Sequence, residues 1–571
     1  MRRPEKDFSI LIKSVTDAHE LLDILSATRK EDIEPEHLSH ALNLLLALQK
    51  NGDSSFDPAQ LTQHAGFDRI CYLLKFKAPR MEANDLIICL KVLSYFRLGN
   101  GSLAVKRLLH LIKDRINDLS PMNLLFLNFV LSKNRKTPLT EAICIAIPIV
   151  FNINLGLKMD HNNVVELVEL FHHISKSSVQ ISTKSMNSLV VALSLHGDNI
   201  AVKEATSLIW SLTSFRNFDP VYEKIFYNCI DILNAKINEM HQDAVESTLT
   251  KMVSSYMRGN HIFNHEKFYN NCVRYFIDKD AGYLNVSYVL RKLNKINFVS
   301  LEMLDYIDTK IVSNYSNLSS ANISGLMTLA AGLSNANYKS KSWEIIKSLL
   351  HENPMIHSDR IDVPWLKFAL DLMSVGFHSN ILFEKVFSSD YLDKALNHDM
   401  NMFSHIQLLL LWQSVKLLIP DYDGPLPQQK FIDEATVMHR TKSSEGTRKI
   451  LADVFGGSDY VQSNVLSSHR HCLDHVISFD INEDPVAMPC KINRFDEIPK
   501  KQVKSVAVFV HGRGSYPLNF PQRMRGIADL RKRTIHALGI KTVDISVHQL
   551  ASCPDTERLE FVNREIRYAL R

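Results

Sequence analysis

Six cationic side chains, Arg513, Arg523, Arg525, Arg531, Lys532 and Arg533, fall within 21 consecutive positions, with Asp529 as the one acid among them. A guanidinium pairs with phosphate and stacks on a planar base, and Tyr516 adds an aromatic face for the same purpose. The cluster therefore has the chemistry of a site for a polyanionic strand. The competing reading, for Arg531, Lys532 and Arg533 above all, is a solvated basic helix face. His469, His471, Cys472 and His475 carry zinc-type donors, but four ligands within seven residues is tighter than usual zinc spacing, so no metal is expected there. His172 and His173 lie on the edge of a helical stripe and read as structural.

Whether such residues meet depends on the elements that carry them. At 571 residues the chain is too long for one compact core. Hydrophobic residues at 45% and charged residues at 22% are ordinary globular values. The net charge is only +4, from 66 basic and 62 acidic side chains, so a polyanion site must come from local clustering. Eight scattered cysteines without a CxxC pair point to reduced, buried thiols and against a disulfide framework. No uninterrupted apolar run reaches the roughly 18–20 residues of a membrane span. The start, Met1-Arg2-Arg3-Pro4-Glu5-Lys6-Asp7, turns acidic too soon for a transit peptide, so either the true start lies upstream or targeting is cryptic.

Up to about residue 380 the apolar spacing is helical, in sets at i, i+3, i+4 and i+7. These are Ala41/Leu44/Leu45/Leu48, Leu86/Cys89/Leu90/Leu93, Met122/Leu125/Phe126/Phe129, Val164/Leu167/Val168/Phe171, Met186/Leu189/Val190/Leu193 and Ile323/Leu326/Met327/Ala330. The first four begin at 41, 86, 122 and 164, which leaves room for two antiparallel helices per unit of a degenerate, solenoid-like repeat. Gly99-Asn100-Gly101 marks a turn, Ser120-Pro121 a helix start, and Gly197 a C-terminal glycine. A glycine and two prolines after Leu418 make a helix exit and ordered turn, followed by a polar stretch through Arg440 to Gly446. Gly456-Gly457-Ser458 is a second break. From His475 the period moves toward two: strands over 475–481, 505–510 and 541–547, a helix over 522–538 closed by Gly539, and a last helix capped by Asp555 with Leu559, Val562, Ile566 and Ala569 on one face. That order implies parallel pairing in a small α/β domain. The fold class is mostly α, and the divisions are a helical-repeat array over 1–390, a helical and linker region over 391–470, and the α/β domain over 475–571.

Two stretches now resemble a known family. Val506-Ala-Val-Phe-Val-His-Gly512, Leu530-Arg-Lys-Arg533, Leu538-Gly539 and Val543-Asp-Ile-Ser-Val547 look like a RAP domain, and Leu418-Ile-Pro-Asp-Tyr-Asp-Gly-Pro425 is similar to the Pro-x-Tyr-x-Gly-Pro segment of the FAST-kinase-like region that precedes it. The chain thus resembles the FAST-kinase-domain family. The resemblance implies a mitochondrial matrix protein that binds mitochondrial RNA and regulates transcript stability, processing or translation, with RNA-processing proteins as further partners and no cofactor. Kinase chemistry finds no support: Gly512-x-Gly514 lacks a third glycine, and neither His-Arg-Asp nor Asp-Phe-Gly occurs. RAP domains are similar to PD-(D/E)xK endonucleases, and that likeness implies Asp480 as a first Mg²⁺-binding carboxylate, but Phe509 and His511 stand where further carboxylates are expected and neither suits Mg²⁺, which leaves Asp544 on the next strand as the substitute. The reading is an RNA-binding protein without catalysis of its own, contacting RNA through Arg513, Tyr516, Arg523, Arg525, Arg531, Lys532 and Arg533. The alternatives are a helical protein-interaction scaffold and a metal-dependent endoribonuclease that relies on Asp480.

Overall fold

A computed structural model of the chain describes residue 12 and residues 15–51, 58–99, 101–133, 135–314, 323–358, 363–397, 402–439, 444–488, 490–499 and 503–571. Met1 to Asp7, Asn100 and Arg440 to Ser443, on which three of the expectations above fall, lie outside the described residues. The chain forms two compact units, one of residues 1–244 and 258–260, the other of 245–257 and 261–571.

In the first unit amphipathic helices pair into antiparallel hairpins that stack in two rows. Ala83–Tyr95, Pro121–Ser132, Val164–Lys176 and Val202–Leu212 touch in series along one row; Ala65–Lys77, Leu103–Asp114, Pro138–Lys158, Thr183–Leu195 and Glu223–Ala235 follow each other along the second. Each helix thereby buries its apolar stripe between two neighbours, which is how a solenoid builds a continuous core from units too small to have one. Leu86, Cys89, Leu90 and Leu93 are fully buried, as are Leu167 and Phe171. Ser120 accepts a hydrogen bond from the Asn123 amide and Pro121 opens the helix. Gly197 does not cap its helix: Thr183–Leu195 ends on His196, and Gly197 follows in a 3-10 turn where a Cβ would lie 2.9 Å from Asn228 Nδ2. The expected stripe on Pro121–Ser132 is also rotated. Of the expected set only Leu125 is buried, together with Leu124, Leu127, Val130 and Leu131; Met122 and Phe126 are half-buried and Phe129 is 58% exposed, because a helix apolar on every side does not announce which side faces in.

By length and composition one described helix, Pro138–Lys158, could cross a membrane, with a mean hydropathy of 1.7 over a window that is 39% buried. Its inner face carries Ile143, Ile147, Phe151 and Leu155. Asn152 and Asn154 interrupt the apolar run, and Asn154 Nδ2 donates to the carbonyls of Asn117 and Leu119 at 3.1 and 2.8 Å.

In the second unit Gly282–Asn294, Ile323–Ala336, Trp365–Ser374 and Met402–Leu418 form a helical array of their own, each touching the next, and lead into a four-stranded sheet. The strands are β1 (Val461–Leu466), β2 (Cys472–Phe479), β3 (Lys504–His511) and β4 (Lys541–Ser546), in the order β1-β2-β3-β4, antiparallel except for the parallel pair β3 and β4. β1 is an addition to the sequence reading: Val-Gln-Ser-Asn-Val-Leu is short and half polar. Alternation splits the sheet into two cores. Ile477, Phe479, Val506, Val508, Val543 and Ile545 pack with Leu451 and Phe455 of helix Glu445–Phe455 and with Val562, Ile566 and Leu570 of the C-terminal helix Asp555–Leu570. Leu559, expected on that buried face, is instead 40% exposed. On the opposite face Leu473, Val476, Ala507 and Phe509 meet Ile535 of the crossover helix Gly526–Ala537.

The crossover helix has a second contact surface. It packs on Ile323–Ala336, Trp365–Ser374 and Met402–Leu418, so it is held between the sheet and the array. Gly526 makes this approach feasible: a Cβ there would lie 2.8 Å from the Ser334 carbonyl oxygen and 2.9 Å from Ser374 Oγ. At the helix exit, Tyr422 folds back over the turn, donates to the Pro425 carbonyl at 3.0 Å and sets its ring edge against Phe383 at 5.5 Å. A Cβ on Gly424 would lie 2.5 Å from the Tyr422 hydroxyl, so the turn requires glycine.

Candidate nucleic-acid interface

Arg513 and Tyr516 lie just past the C-terminal end of β3, on the side of the sheet where its parallel partner β4 also ends. This is where open α/β sheets expose the ends of their strands to a ligand. Arg513 is exposed and its guanidinium has no partner among the described residues. Tyr516 is half-buried, its ring edge-on to His511 at 6.2 Å, and burial raises its hydroxyl above the ordinary value, with Asp544 adding to the effect.

The other five cations of the cluster are engaged within the second unit. Arg523 donates to the Asn337 carbonyl at 3.0 Å, and Arg533 to the Ser374 carbonyl at 2.5 Å while pairing with Asp529 at 3.1 Å. Arg525 clasps Asn335 Oδ1 through Nε and Nη2 at 3.1 and 2.6 Å and gives Nη1 to the Gly514 carbonyl at 2.7 Å. The same segment is stapled by Leu518, whose amide donates to the Asn297 carbonyl at 2.9 Å, and by Asn519, which exchanges two hydrogen bonds with the Val299 backbone. Arg531 donates to the Cys472 carbonyl at 2.6 Å and stacks over Phe509 at 4.7 Å. Lys532 pairs with Asp544 at 2.6 Å. Much of the basic run is thus a seam that fixes the sheet to the helical array. Of the seven residues, Arg513 alone is exposed and without a partner among the described residues, with the half-buried Tyr516 three positions on.

Behind that loop lies a cavity of about 200 Å³. Its polar wall is Gln413, His439, His511, Ser515, Arg525 and Arg531, its apolar wall Ile406, Leu410 and Ile527, and no carboxylate is among the described residues that line it. Neither arginine has a carboxylate within ion-pair distance among the described residues; their partners are neutral oxygens. Burial pushes the Arg525 guanidinium below its ordinary value, and the nearby Asp371 carboxylate works the other way. His439 is pushed down to about 4, by burial first and then by Arg531, with Asp474 opposing, so it is neutral at pH 7. Its buried Nδ1 has no hydrogen-bond partner among the described residues. The crossover helix begins at this cavity with Arg525 as its N-cap and no side-chain cap.

His511 closes the cavity on the sheet side. Its Nε2 meets Asp544 Oδ1 at 2.7 Å and its Nδ1 faces Ser515 Oγ at 3.3 Å. Burial raises the Asp544 carboxyl, but hydrogen bonds from His511 and Lys532 outweigh it and hold the group below its ordinary value. Asp544 is therefore occupied as a counter-ion. Nor can it share a metal with Asp480. Phe479 pairs with Lys504, so Asp480 is level with Val503, whereas Asp544 pairs with Phe509. Positions 503 and 509 are about 20 Å apart at roughly 3.3 Å per residue. Asp480 Oδ1 instead accepts the amides of Asn482 and Asp484, at 2.8 and 2.9 Å, and orders the turn after β2.

The histidines after Ser468 are equally structural. His471 is buried between Ser467 Oγ at 2.9 Å and Thr534 Oγ1 at 3.0 Å, and His475 meets Ser463 Oγ at 2.8 Å. Among the described residues no three His, Cys, Asp or Glu side chains gather as a metal would need. His172 meets Ser211 Oγ at 3.0 Å. Sequence reasoning missed His439, Gln413 and Ser515, which come from three separate elements and share no motif. The pairing of His511 with Asp544 had a signal: each is the polar residue near the end of one of two adjacent parallel strands.

No curated protein was found to match the chain. Residues 405–487, from the helix Met402–Leu418 to the turn after β2, match the sequence model of the family described as FAST kinase-like protein, subdomain 2, and this supports membership of the FAST-kinase family.

Proposed function

We propose that this protein binds RNA, and that in the mitochondrial matrix it acts on mitochondrial transcripts, governing their stability, processing or translation without catalysis of its own. The observation that carries the reading is the unpaired Arg513 guanidinium beside the Tyr516 ring, at the strand ends of a RAP-like domain and at the mouth of a cation-lined cavity. A strand laid across this edge pairs a phosphate with Arg513 and sets a base against Tyr516. The likeness to the FAST-kinase family over residues 405–487 supports an RNA-associated role. RNA-processing proteins are the further partners expected of such a protein.

Arg513→Ala tests the site in the purified full chain, because the residue has no structural partner to lose. Affinity for single-stranded RNA falls several-fold, and the slope of log K against log salt shallows by about 0.7, the contribution of one phosphate contact. Thermal stability does not change. An unaltered salt slope, or ultraviolet adducts in mitochondria that contain protein but never RNA near residues 511–516, would overturn the reading in favour of a protein-interaction scaffold.

A further inference from the structure

We infer that the cavity behind the β3 loop is a receptor for a terminal phosphate, the monoester group at one end of an RNA strand whose body lies across Arg513 and Tyr516. The inference rests on the RNA reading above and specifies what part of the RNA the interior takes.

Charge is the first ground. Arg525 and Arg531 reach the cavity from one helix, and their described partners are carbonyl and amide oxygens with no carboxylate among them. The acids nearby do not line the cavity: Asp544 is held by His511 and Lys532, Asp474 by the Val510 amide, and Asp371, whose charge reaches Arg525, pairs with Lys367 through Oδ2. A cation withdrawn from water without an ionic partner is costly unless an anion joins it. Hydrogen-bonding capacity is the second. Arg525 has three N–H groups engaged and Arg531 one, of the five each guanidinium carries, so donors remain on both. His439 Nδ1 lies buried without a partner among the described residues, and the side-chain-uncapped start of a 12-residue helix opens at the same place through Ile527 and Ala528. An uncapped helix start is a natural seat for phosphate oxygens, here reinforced by two guanidiniums.

Size decides between a group and a whole nucleotide. Cavities that enclose drug-sized ligands run from about 300 to 1,000 Å³, whereas this one is about 200 Å³. It admits a phosphate with a few waters, and excludes an attached nucleoside. A phosphodiester in mid-chain has substituents on two oxygens, and a space too small for a nucleoside leaves room for neither. A monoester has three free oxygens and leaves its nucleoside outside, toward the loop. Sequence-independent recognition of a strand end follows.

The test uses the full chain and one single-stranded RNA sequence in three forms: 5′-phosphate, 3′-phosphate, and hydroxyl at both ends. Fluorescence anisotropy is expected to show one phosphorylated form binding at least tenfold tighter than the hydroxyl form, with inorganic phosphate abolishing the difference. Ala528→Glu places a carboxylate in the cavity at a helix start, where an acid favours the helix, and erases the preference without unfolding the chain. Ala528→Gln, equal in size but uncharged, reduces it by less. Equal affinity for all three forms would overturn the terminal-phosphate inference and leave RNA binding standing. Thermal stabilisation by inorganic phosphate that Ala528→Glu removes, with no RNA bound in any form, would keep an anion receptor and overturn RNA as its source. Neither RNA binding nor a phosphate effect would overturn both.

Discussion

The two units of this chain place their polarity in opposite ways. The N-terminal unit leaves aliphatic side chains in water: Ile145, Ile149, Ile153 and Leu157 form a ladder along Pro138–Lys158, and Ile145 is 70% and Leu157 77% exposed. The C-terminal unit takes cations inward, with the heads of Arg525, Arg531 and Arg533 bound to carbonyl and amide oxygens of neighbouring elements. Residue type alone therefore misassigns both sets. What a side chain contributes to folding follows from what surrounds it, and the exposed aliphatic ladder should contribute less than the half-buried, hydrogen-bonded guanidiniums.

The largest effect expected from this contrast is at the seam between sheet and array. Gly526→Val forces methyl groups onto the Ser334 carbonyl and Ser374 Oγ, where even a Cβ would lie under 3 Å. Overpacking of this kind costs about 3 kcal/mol. A urea titration read by intrinsic fluorescence should show a lowered midpoint, together with protease cleavage near residue 520. If Gly526→Val keeps the wild-type midpoint, the crossover helix is not clamped as described.

Arg525→Ala comes next. It strands Asn335 Oδ1 and the Gly514 carbonyl, and the loss is about 2 kcal/mol. Arg513→Ala, twelve residues earlier, leaves stability unchanged. Two arginines of one sequence cluster thus separate into one that holds the fold and one that does not, and equal stability losses in both would erase the distinction.

Proton linkage gives a smaller effect with a definite sign. His471 is pushed down to about 3 by burial and then by Arg531, His469 and His439; His439 and His475 are each pushed down to about 4. Below pH 6.5 the unfolded chain binds protons that these buried rings refuse. Their contribution is therefore whole above pH 6.5 and declines as pH falls toward 4, by about 1.4 kcal/mol per pH unit for His471. Asp544, held below its ordinary value, contributes above the unfolded carboxylate range and loses its share only at lower pH. Urea midpoints from pH 7 to 5 should fall, and His471→Gln should lower stability at pH 7 while flattening the decline. An identical slope in His471→Gln would remove His471 from the linkage.

The legible parts of this molecule are those written in neighbouring residues. The alternation of Val506, Ala507, Val508 and Phe509 specified β3 and its two faces, and Ser120-Pro121 specified a helix start, because each pattern acts within one element. The cation cluster was legible as charge but not as geometry. Arg525 meets Asn335 across 190 positions and Arg533 meets Ser374 across 159, and no local pattern encodes such partners. The cavity was illegible for the same reason: His439, Gln413 and Ser515 come together only through packing. The stripe on Pro121–Ser132 failed differently, since Leu124, Leu125, Phe126, Leu127 and Phe129 offer several apolar faces and only the neighbouring helices choose one.

The ladder on Pro138–Lys158 is the test of the other half of the comparison. Ile149 is 61% and Ile153 56% exposed, four positions apart on a face opposite to Ile147, Phe151 and Leu155. Replacing both exposed isoleucines by glutamine removes little buried area and substitutes a better helix former, so stability should stay within about 0.5 kcal/mol. Ile147→Ala on the inner face should cost about 2–5 kcal/mol by leaving a cavity. If the double glutamine variant unfolds like Ile147→Ala, the ladder is part of a folding core, and the two units do not differ as their surfaces indicate.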